Sequence, residues 1–314
     1  MDKDRYTFID EAKALAMLVV VSWHILGIHS SWTDSWVMPI FFLIMGLFYK
    51  QDTSFKHMIL KKINTLIIPL VFCSIPAFIL SLYNHGCIFT LKRFFFPYEC
   101  INPCSWFLIC MFFCYVIYWL INIIAKDSKR RVVLTIIVSL IGFYSSQMHI
   151  FGHRLVLPFF ISTALTMMFV IETGRSLRNY ILNYKWGGIY MFILLTIVFV
   201  FLTLFFIPMP QNMIWSEYGT KNYLYYTIYS IVGSVWIIHL CHYIQPVLTR
   251  IAVIGRYSLL LLVLHSYIHS VLRLFVKNSI YDYLLTILFT VFISVLMDRY
   301  FPIITGKKQL FKHI

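Results

Sequence analysis

The sequence predicts an all-α integral membrane protein, a bundle of about ten transmembrane helices with both termini in the cytoplasm. Three observations carry that expectation. Hydrophobic residues fill 61% of the 314 positions and charged residues only 12%, where a soluble domain carries about 25% charged. The charges cluster between long uncharged runs. Lysine and arginine fall unevenly on alternate connections between those runs.

The apolar excess shows in a mean hydropathy of +0.81, so lipid must solvate much of the surface. Uncharged stretches at 63–91, 100–125, 132–152, 186–216 and 222–249 each reach the roughly 20 residues a helix needs to cross a bilayer core. The run 155–171 is marginal, and 35–49, 257–272 and 283–297 are shorter. They complete an even topology if polar ends snorkel to the interface. The expected spans are 12–29, 35–49, 63–83, 105–125, 132–148, 155–173, 187–207, 223–246, 258–276 and 282–298. All are read as helices, because backbone groups in lipid must be satisfied within the segment.

With the N-terminus inside, 20 of the 26 Lys and Arg residues lie on the inner side, as the positive-inside rule requires. The formal charge of +14 is then mostly a topological signal. It needs no nucleic-acid partner and suits anionic membrane lipid or a phosphorylated cytoplasmic substrate. The N-terminal stretch carries Asp10, Glu11 and Lys13 and lacks a small-residue cleavage site, so a retained first helix is expected rather than a signal peptide. No internal repeat or linker divides residues 1–314, which read as one transmembrane domain. The longest outer loop, 84–104, is a candidate lid or substrate-contact loop. A disulfide among Cys87, Cys100 and Cys104 is open there.

Ionisable residues inside a membrane are costly and point to function. Lys13 and His24 are three helical turns plus about 20° apart, hence on one face and about 16 Å apart along the axis. Asp10 lies one turn before Lys13. A cation at the inner mouth and an imidazole deeper on the same stripe suit proton-transfer chemistry; a snorkelling lysine and a packed histidine are the plainer alternative. His265, His269 and Arg273 share another face, and His239 and His242 form a second pair. Two histidines four apart can ligate a metal, but no third ligand is evident, so no metal is expected and polar packing is the simpler role. His149, His153 and Arg154 fall in an outer connection.

The segment Ile9-Asp10-Glu11-Ala12-Lys13-Ala14 through Val20-Val21-Ser22-Trp23-His24 resembles the opening signature of the membrane-bound acyltransferase 3 family, roughly I-D-x-x-R-G-I-A-x-x-x-V-V-x-x-H. Lys13 stands where that family has Arg, as in its fucose 4-O-acetylase-like branch, and Ala14 replaces Gly. Met38-Pro39-Ile40-Phe41-Phe42-Leu43-Ile44-Met45-Gly46 resembles the family's P-x-F-F-F-I-S-G stretch. Lys61 to Pro69 resembles a basic run ending in L-L-I-P. Trp106-Phe107-Leu108 resembles P-x-W-F-L with Pro103 one residue further back, and Ser258 to His265 resembles S-L-x-I-Y-L-L-H.

The resemblance implies a membrane O-acyltransferase. It would move an acetyl group from cytoplasmic acetyl-CoA to a hydroxyl of a cell-surface polysaccharide or its lipid-linked sugar precursor, in the cell membrane. It binds no resident cofactor; acetyl-CoA is a substrate. His24 would be the catalytic base on the sugar hydroxyl, or carry a transient acyl-imidazole. Lys13 would steady the donor, keeping Arg's charge but not its fork. Asp10, Lys61, Lys62, Trp106 and His265 would contact donor or acceptor, with inside-positive anchoring the simpler role for Lys61 and Lys62. The competing class is a transporter, or a lipid-linked-glycan flippase or polymerase, with Lys13 and His24 lining a pathway. Inverted halves, which would support a transporter, are not detectable.

Overall fold

The computed structural model describes residues 6–52, 54–86, 104, 106–150, 153–155, 157–183, 188–205, 212–213 and 216–311. The outer loop expected at 84–104, with Cys87 and Cys100, lies almost entirely outside the described residues. The described chain is helical, apart from a two-residue hairpin of β1 (His149–Ile150) and β2 (His153–Arg154).

Helix α1 (Thr7–Leu26) ends where Gly27 takes a left-handed conformation, φ 67°, the backbone state glycine accepts at a helix C-terminus. The short α2 (Ser31–Asp34) and α3 (Pro39–Leu47) follow. Next come α4 (Phe55–Lys62), a π-helical turn (Ile63–Ile67) and α5 (Ile68–His85). Helices α6 (Trp106–Ile124) and α7 (Ser128–Ser145) precede the hairpin. After it come α8 (Ile161–Thr166), α9 (Met168–Leu182) and α10 (Gly188–Phe205). The chain closes with α11 (Tyr223–Leu248), α12 (Ala252–Arg256), α13 (Ser258–Leu272) and α14 (Ser279–Tyr300).

Helix α14 shows how the bundle meets its solvent. Asp282, Thr286, Thr290 and Ser294 recur every four residues and are buried. Leu284, Leu288 and Phe292 on the other side are 54–62% exposed. A helix that hides its hydroxyls and shows its leucines is packed for lipid. Helix α10 likewise exposes Ile197, Phe201 and Leu204.

Among the described residues, five helices are long and apolar enough to cross a bilayer: Phe55–Asn84, Trp106–Ile124, Gly188–Phe205, Tyr223–Gln245 and Ser279–Tyr300. There are six if Thr249–Arg256 and Ser258–Leu272, bent by 79°, count as one. The other expected spans differ for identifiable reasons. The 35–49 span is realised as α3, nine residues long, about 14 Å at 1.5 Å per residue. Ile40, Phe42, Leu43 and Leu47 are all completely buried, so this is a core helix covered by protein. The 155–173 span is broken: Phe159 and Phe160 adopt positive φ near 57°, and α9 carries Glu172, Arg175 and Arg178. Helix α1 holds Asp10, Glu11 and Lys13 at its start and is wrapped by α3, α11, α12, α13 and α14.

Small residues allow these crossings. A Cβ on Gly46 of α3 would collide with the Ile171 carbonyl of α9, and one on Gly174 of α9 would collide with the Leu43 carbonyl of α3. Reciprocal glycine contacts of this kind bring helix backbones together where lipid gives no hydrophobic drive.

Candidate active site

Helix α1 carries one continuous stripe of the residues singled out in the sequence. Lys13, Met17, Val20 and His24 follow at spacings of four, three and four, the repeat of one helix face. The Lys13 ammonium pairs with Asp10 Oδ1 at 2.6 Å, both groups largely buried. Met17 lines an apolar cavity of about 230 Å³. Val20 and His24 line a second cavity of about 270 Å³, toward the other end of the helix. Met38 and Leu262 belong to the walls of both. Lys13 and Asp10 line neither cavity, so the stripe joins them to His24 along the helix rather than within one chamber.

The 270 Å³ cavity is built where several elements end. His24 is in the last turn of α1 and is exposed to it. Gly27 turns the chain so that His29 and Asp34 also reach its wall. Trp106 comes from the start of α6, Cys104 lies two residues before it, and Asn212 and Met213 come from the connection before α11. Behind His24 sits His265 of α13, completely buried, with ring centroids 5.2 Å apart and planes tilted 41°. His265 Nδ1 lies 2.9 Å from the Leu261 carbonyl oxygen, and Nε2 lies 3.6 Å from Cys104 Sγ. Ligand atoms of His24, Cys104 and His265 all fall within 4.8 Å of one another. One turn on, His269 Nδ1 is 2.8 Å from the buried carboxylate of Asp282.

The basic residues collect at the opposite end. Tyr6 contacts the Phe48 ring at 6.1 Å, and Tyr49 stacks on Tyr115 at 6.3 Å. The Lys62 ammonium sits 3.3 Å above that Tyr115 ring, which lines the apolar cavity. Arg175 lies 5.5 Å from the Tyr49 ring. Lys61 is 3.4 Å from Asp52, which also meets His57 at 3.0 Å. Glu172, 1% exposed, pairs with Arg131 at 2.8 Å and accepts the Tyr118 hydroxyl.

Of the residues singled out in the sequence, His24 and Trp106 line one cavity, and His265 packs behind His24 without lining it. Lys61 and Lys62 stand at the basic end, and Lys13 is held by Asp10. Cys104 Sγ lies 3.6 Å from His265 Nε2; Cys87 and Cys100, the other two cysteines considered for a disulfide, lie outside the described residues. His239 and His242 lie apart, His242 edge-on to Phe8. Among the described residues, His24, Cys104 and His265 form a compact histidine–cysteine group of which His239 and His242 are not part. His149 is exposed on the hairpin, and the side chains of His153 and Arg154 lie outside the described residues. Sequence reasoning missed Cys104 as a site residue, although it lies two residues ahead of the Trp-Phe-Leu motif. It also missed Glu172, Asp34 and Asn212, which belong to no recurring pattern.

No curated protein and no solved structure gives a significant match to the chain. Residues 6–299 match the Acyl_transf_3 family, described as an acyltransferase domain. That span runs from the start of α1 almost to the end of α14 and includes every residue of the cavity just described. With apolar helices built to cross a bilayer, the protein is a multi-pass membrane acyltransferase belonging to the Acyl_transf_3 family.

Proposed function

We propose that the protein is an O-acetyltransferase of the cell membrane that moves an acetyl group from cytoplasmic acetyl-CoA to a carbohydrate hydroxyl, with His24 as catalytic base. The fucose 4-O-acetylase-like signature around Lys13 favours a sugar acceptor, either on a cell-surface polysaccharide or on its lipid-linked precursor. The observation that carries this reading is His24 itself: an imidazole exposed to a cavity, at the far end of a helix stripe that starts at a half-buried cation.

The two cavities suit the two substrates. The cationic end, with Lys13, Lys61 and Lys62, would face the cytoplasm under the positive-inside rule and meet the phosphates of CoA. Beyond it, the apolar chamber lined by Met17, Met45 and Leu262 accepts an uncharged thioester arm. The 270 Å³ cavity offers Trp23 and Trp106 as aromatic walls for the apolar face of a sugar, with Asp34 and Asn212 as polar partners for its hydroxyls. There His24 would take the proton of the attacking hydroxyl as the carbonyl carbon is attacked. General base catalysis of this kind is worth about 10²–10⁴ in rate.

Membranes containing the protein are to be incubated with radiolabelled acetyl-CoA and the host's surface glycan fraction. Label should reach an alkali-labile ester on glycan with the wild-type protein and not with His24→Ala at equal abundance. Equal labelling by both proteins would remove His24 from its role. Label that appears only on lipid or protein would remove the carbohydrate acceptor.

A further inference from the structure

We propose that Asn64 is a positioning residue for the acyl donor. With segment 301–311 it forms a clasp on the π-helical turn, and the turn sets Lys62 beside the apolar chamber. The inference rests on the acetyl-CoA reading above and names the device that aims its phosphate-binding lysine.

The clasp is built from one buried amide. Asn64 sits inside the π-helical turn Ile63–Ile67 and is 1% exposed. Its Nδ2 donates to the Leu60 carbonyl at 2.9 Å and to the Phe311 carbonyl at 3.0 Å. Its Oδ1 accepts from the backbone N–H groups of Leu310 and Phe311, at 3.0 and 3.1 Å. The side-chain amide thus pairs with Phe311 as a neighbouring strand would, offering one donor and one acceptor. Segment 301–311 is fixed at a second point, where Lys307 pairs with Asp298 and Asp298 accepts the Tyr257 hydroxyl at 3.1 Å. Between the two points Gly306 has φ 73°, and a Cβ there would stand 2.9 Å from both the Asn64 carbonyl oxygen and Thr65 Cα. The segment therefore lies flush on the turn.

The turn carries one residue more than an α-helical turn. The Ile68 N–H reaches back to the Ile63 carbonyl, five residues away, where an α-helix would reach four. Where the ladder changes step, side chains support it: Asn64 Nδ2 and Thr65 Oγ1 donate to the Leu60 and Lys61 carbonyls, at 2.9 and 3.0 Å. If the turn relaxed to α-helix, the residues before it would rotate by about 100° against those after it. Lys62 is the last residue before the turn, and its ammonium lies 3.3 Å above the Tyr115 ring. Leu66 lies within the turn and, with Tyr115, lines the apolar chamber. The phase of the turn therefore decides whether cation and chamber wall face the same donor. Acetyl-CoA is charged at one end and has an apolar arm at the other, so it needs the two held in register.

The test is steady-state transfer by full-length protein in membranes from two donors, acetyl-CoA and S-acetylpantetheine, which keeps the thioester arm but has no phosphate. Asn64→Ala, and Gly306→Val acting from the segment alone, should each raise KM for acetyl-CoA about tenfold with kcat held within about twofold. Neither should change KM for S-acetylpantetheine. Lys62→Ala should give the same rise, and adding Asn64→Ala to it should add almost nothing, because both act on one contact. Hydrogen exchange in lipid nanodiscs should find the Leu310 and Phe311 amides protected in wild type and released in both clasp variants. Equal losses of kcat with the two donors would make the clasp structural only and overturn the proposal. So would an unchanged KM for acetyl-CoA in a variant whose amides are released. If Asn64→Ala fails to insert, Gly306→Val decides by the same criteria. These outcomes leave acetyl-CoA as the donor; wild type that transfers nothing from acetyl-CoA would remove the donor itself, and the proposal with it.

Discussion

His24 and His265 come from the first and the penultimate helices, yet their rings lie 5.2 Å apart. They differ in what surrounds them. His24 is exposed to the cavity, whereas His265 is completely buried and bonded to the Leu261 carbonyl. Substitution should therefore separate chemistry from packing. His24→Ala is expected to cost about 10²–10⁴ in transfer rate with no change in thermal unfolding of the detergent-solubilised protein. His265→Ala leaves a void where a completely buried ring packed, so it should lower both activity and unfolding temperature. If His24→Ala unfolds as early as His265→Ala, the first histidine is a packing residue.

Lys13 and Asp10 form a 2.6 Å ion pair with side chains 21% and 9% exposed. Removing one partner of so enclosed a pair leaves the other charge uncompensated. Lys13→Ala should therefore reduce both folded yield and acetyl transfer, while Lys13→Arg, which keeps the charge, should retain most of both. The double variant Asp10→Asn/Lys13→Ala removes both charges and should restore yield. Activity that returns along with yield would show that Lys13 only neutralises Asp10 and does not touch the donor.

How much of this was legible in the sequence varies with the kind of information involved. The helical membrane architecture followed from composition and run length, properties that do not depend on which helix packs where. The short core helix α3 was read as a span because periodicity cannot tell a segment buried by protein from one buried by lipid. The one-face relation of Lys13 and His24 followed from helical geometry alone, and the family signature drew attention to His265. Cys104 was invisible as a partner of His265 because that contact joins residues from distant helices. Its surroundings are set by how α1, α6 and α13 end together. The Asp52 grip on Lys61 and the Glu172 network were hidden for the same reason.

Met38 and Leu262 separate the apolar chamber from the cavity of His24. Their bulk would then set how long an acyl chain can reach the histidine. Met38→Ala should open the wall and shift donor preference from acetyl-CoA toward butyryl-CoA by about tenfold, roughly the discrimination that small apolar differences supply. The same substitution should cost about 2–5 kcal/mol of stability, since Met38 is only 8% exposed. Competition between acyl-CoAs of two, four and six carbons would measure it. An unchanged preference in a folded Met38→Ala protein would mean that the acyl group reaches His24 by another route.

Glu172 lies in α9, where Arg131 Nε donates to both of its carboxylate oxygens, at 3.0 and 2.8 Å, and the Tyr118 hydroxyl donates to Oε2. The carboxylate is 1% exposed and the guanidinium 14%, so neither charge can turn to water if its partner is lost. Next to this pair, Gly174 and Gly46 bring α9 and α3 into backbone contact, and Met38, Phe41 and Met45 of the α3 region line the apolar chamber. The network thus fixes the helix on which one wall of the chamber rests. Glu172→Ala should cost roughly 3–5 kcal/mol, as breaking a buried pair usually does. Replacing both partners, Glu172→Gln with Arg131→Gln, should recover part of that loss because no lone charge remains. Unfolding midpoints of the two variants in one detergent decide the matter. If the double variant unfolds as early as Glu172→Ala, the unpaired guanidinium is not the source of the loss.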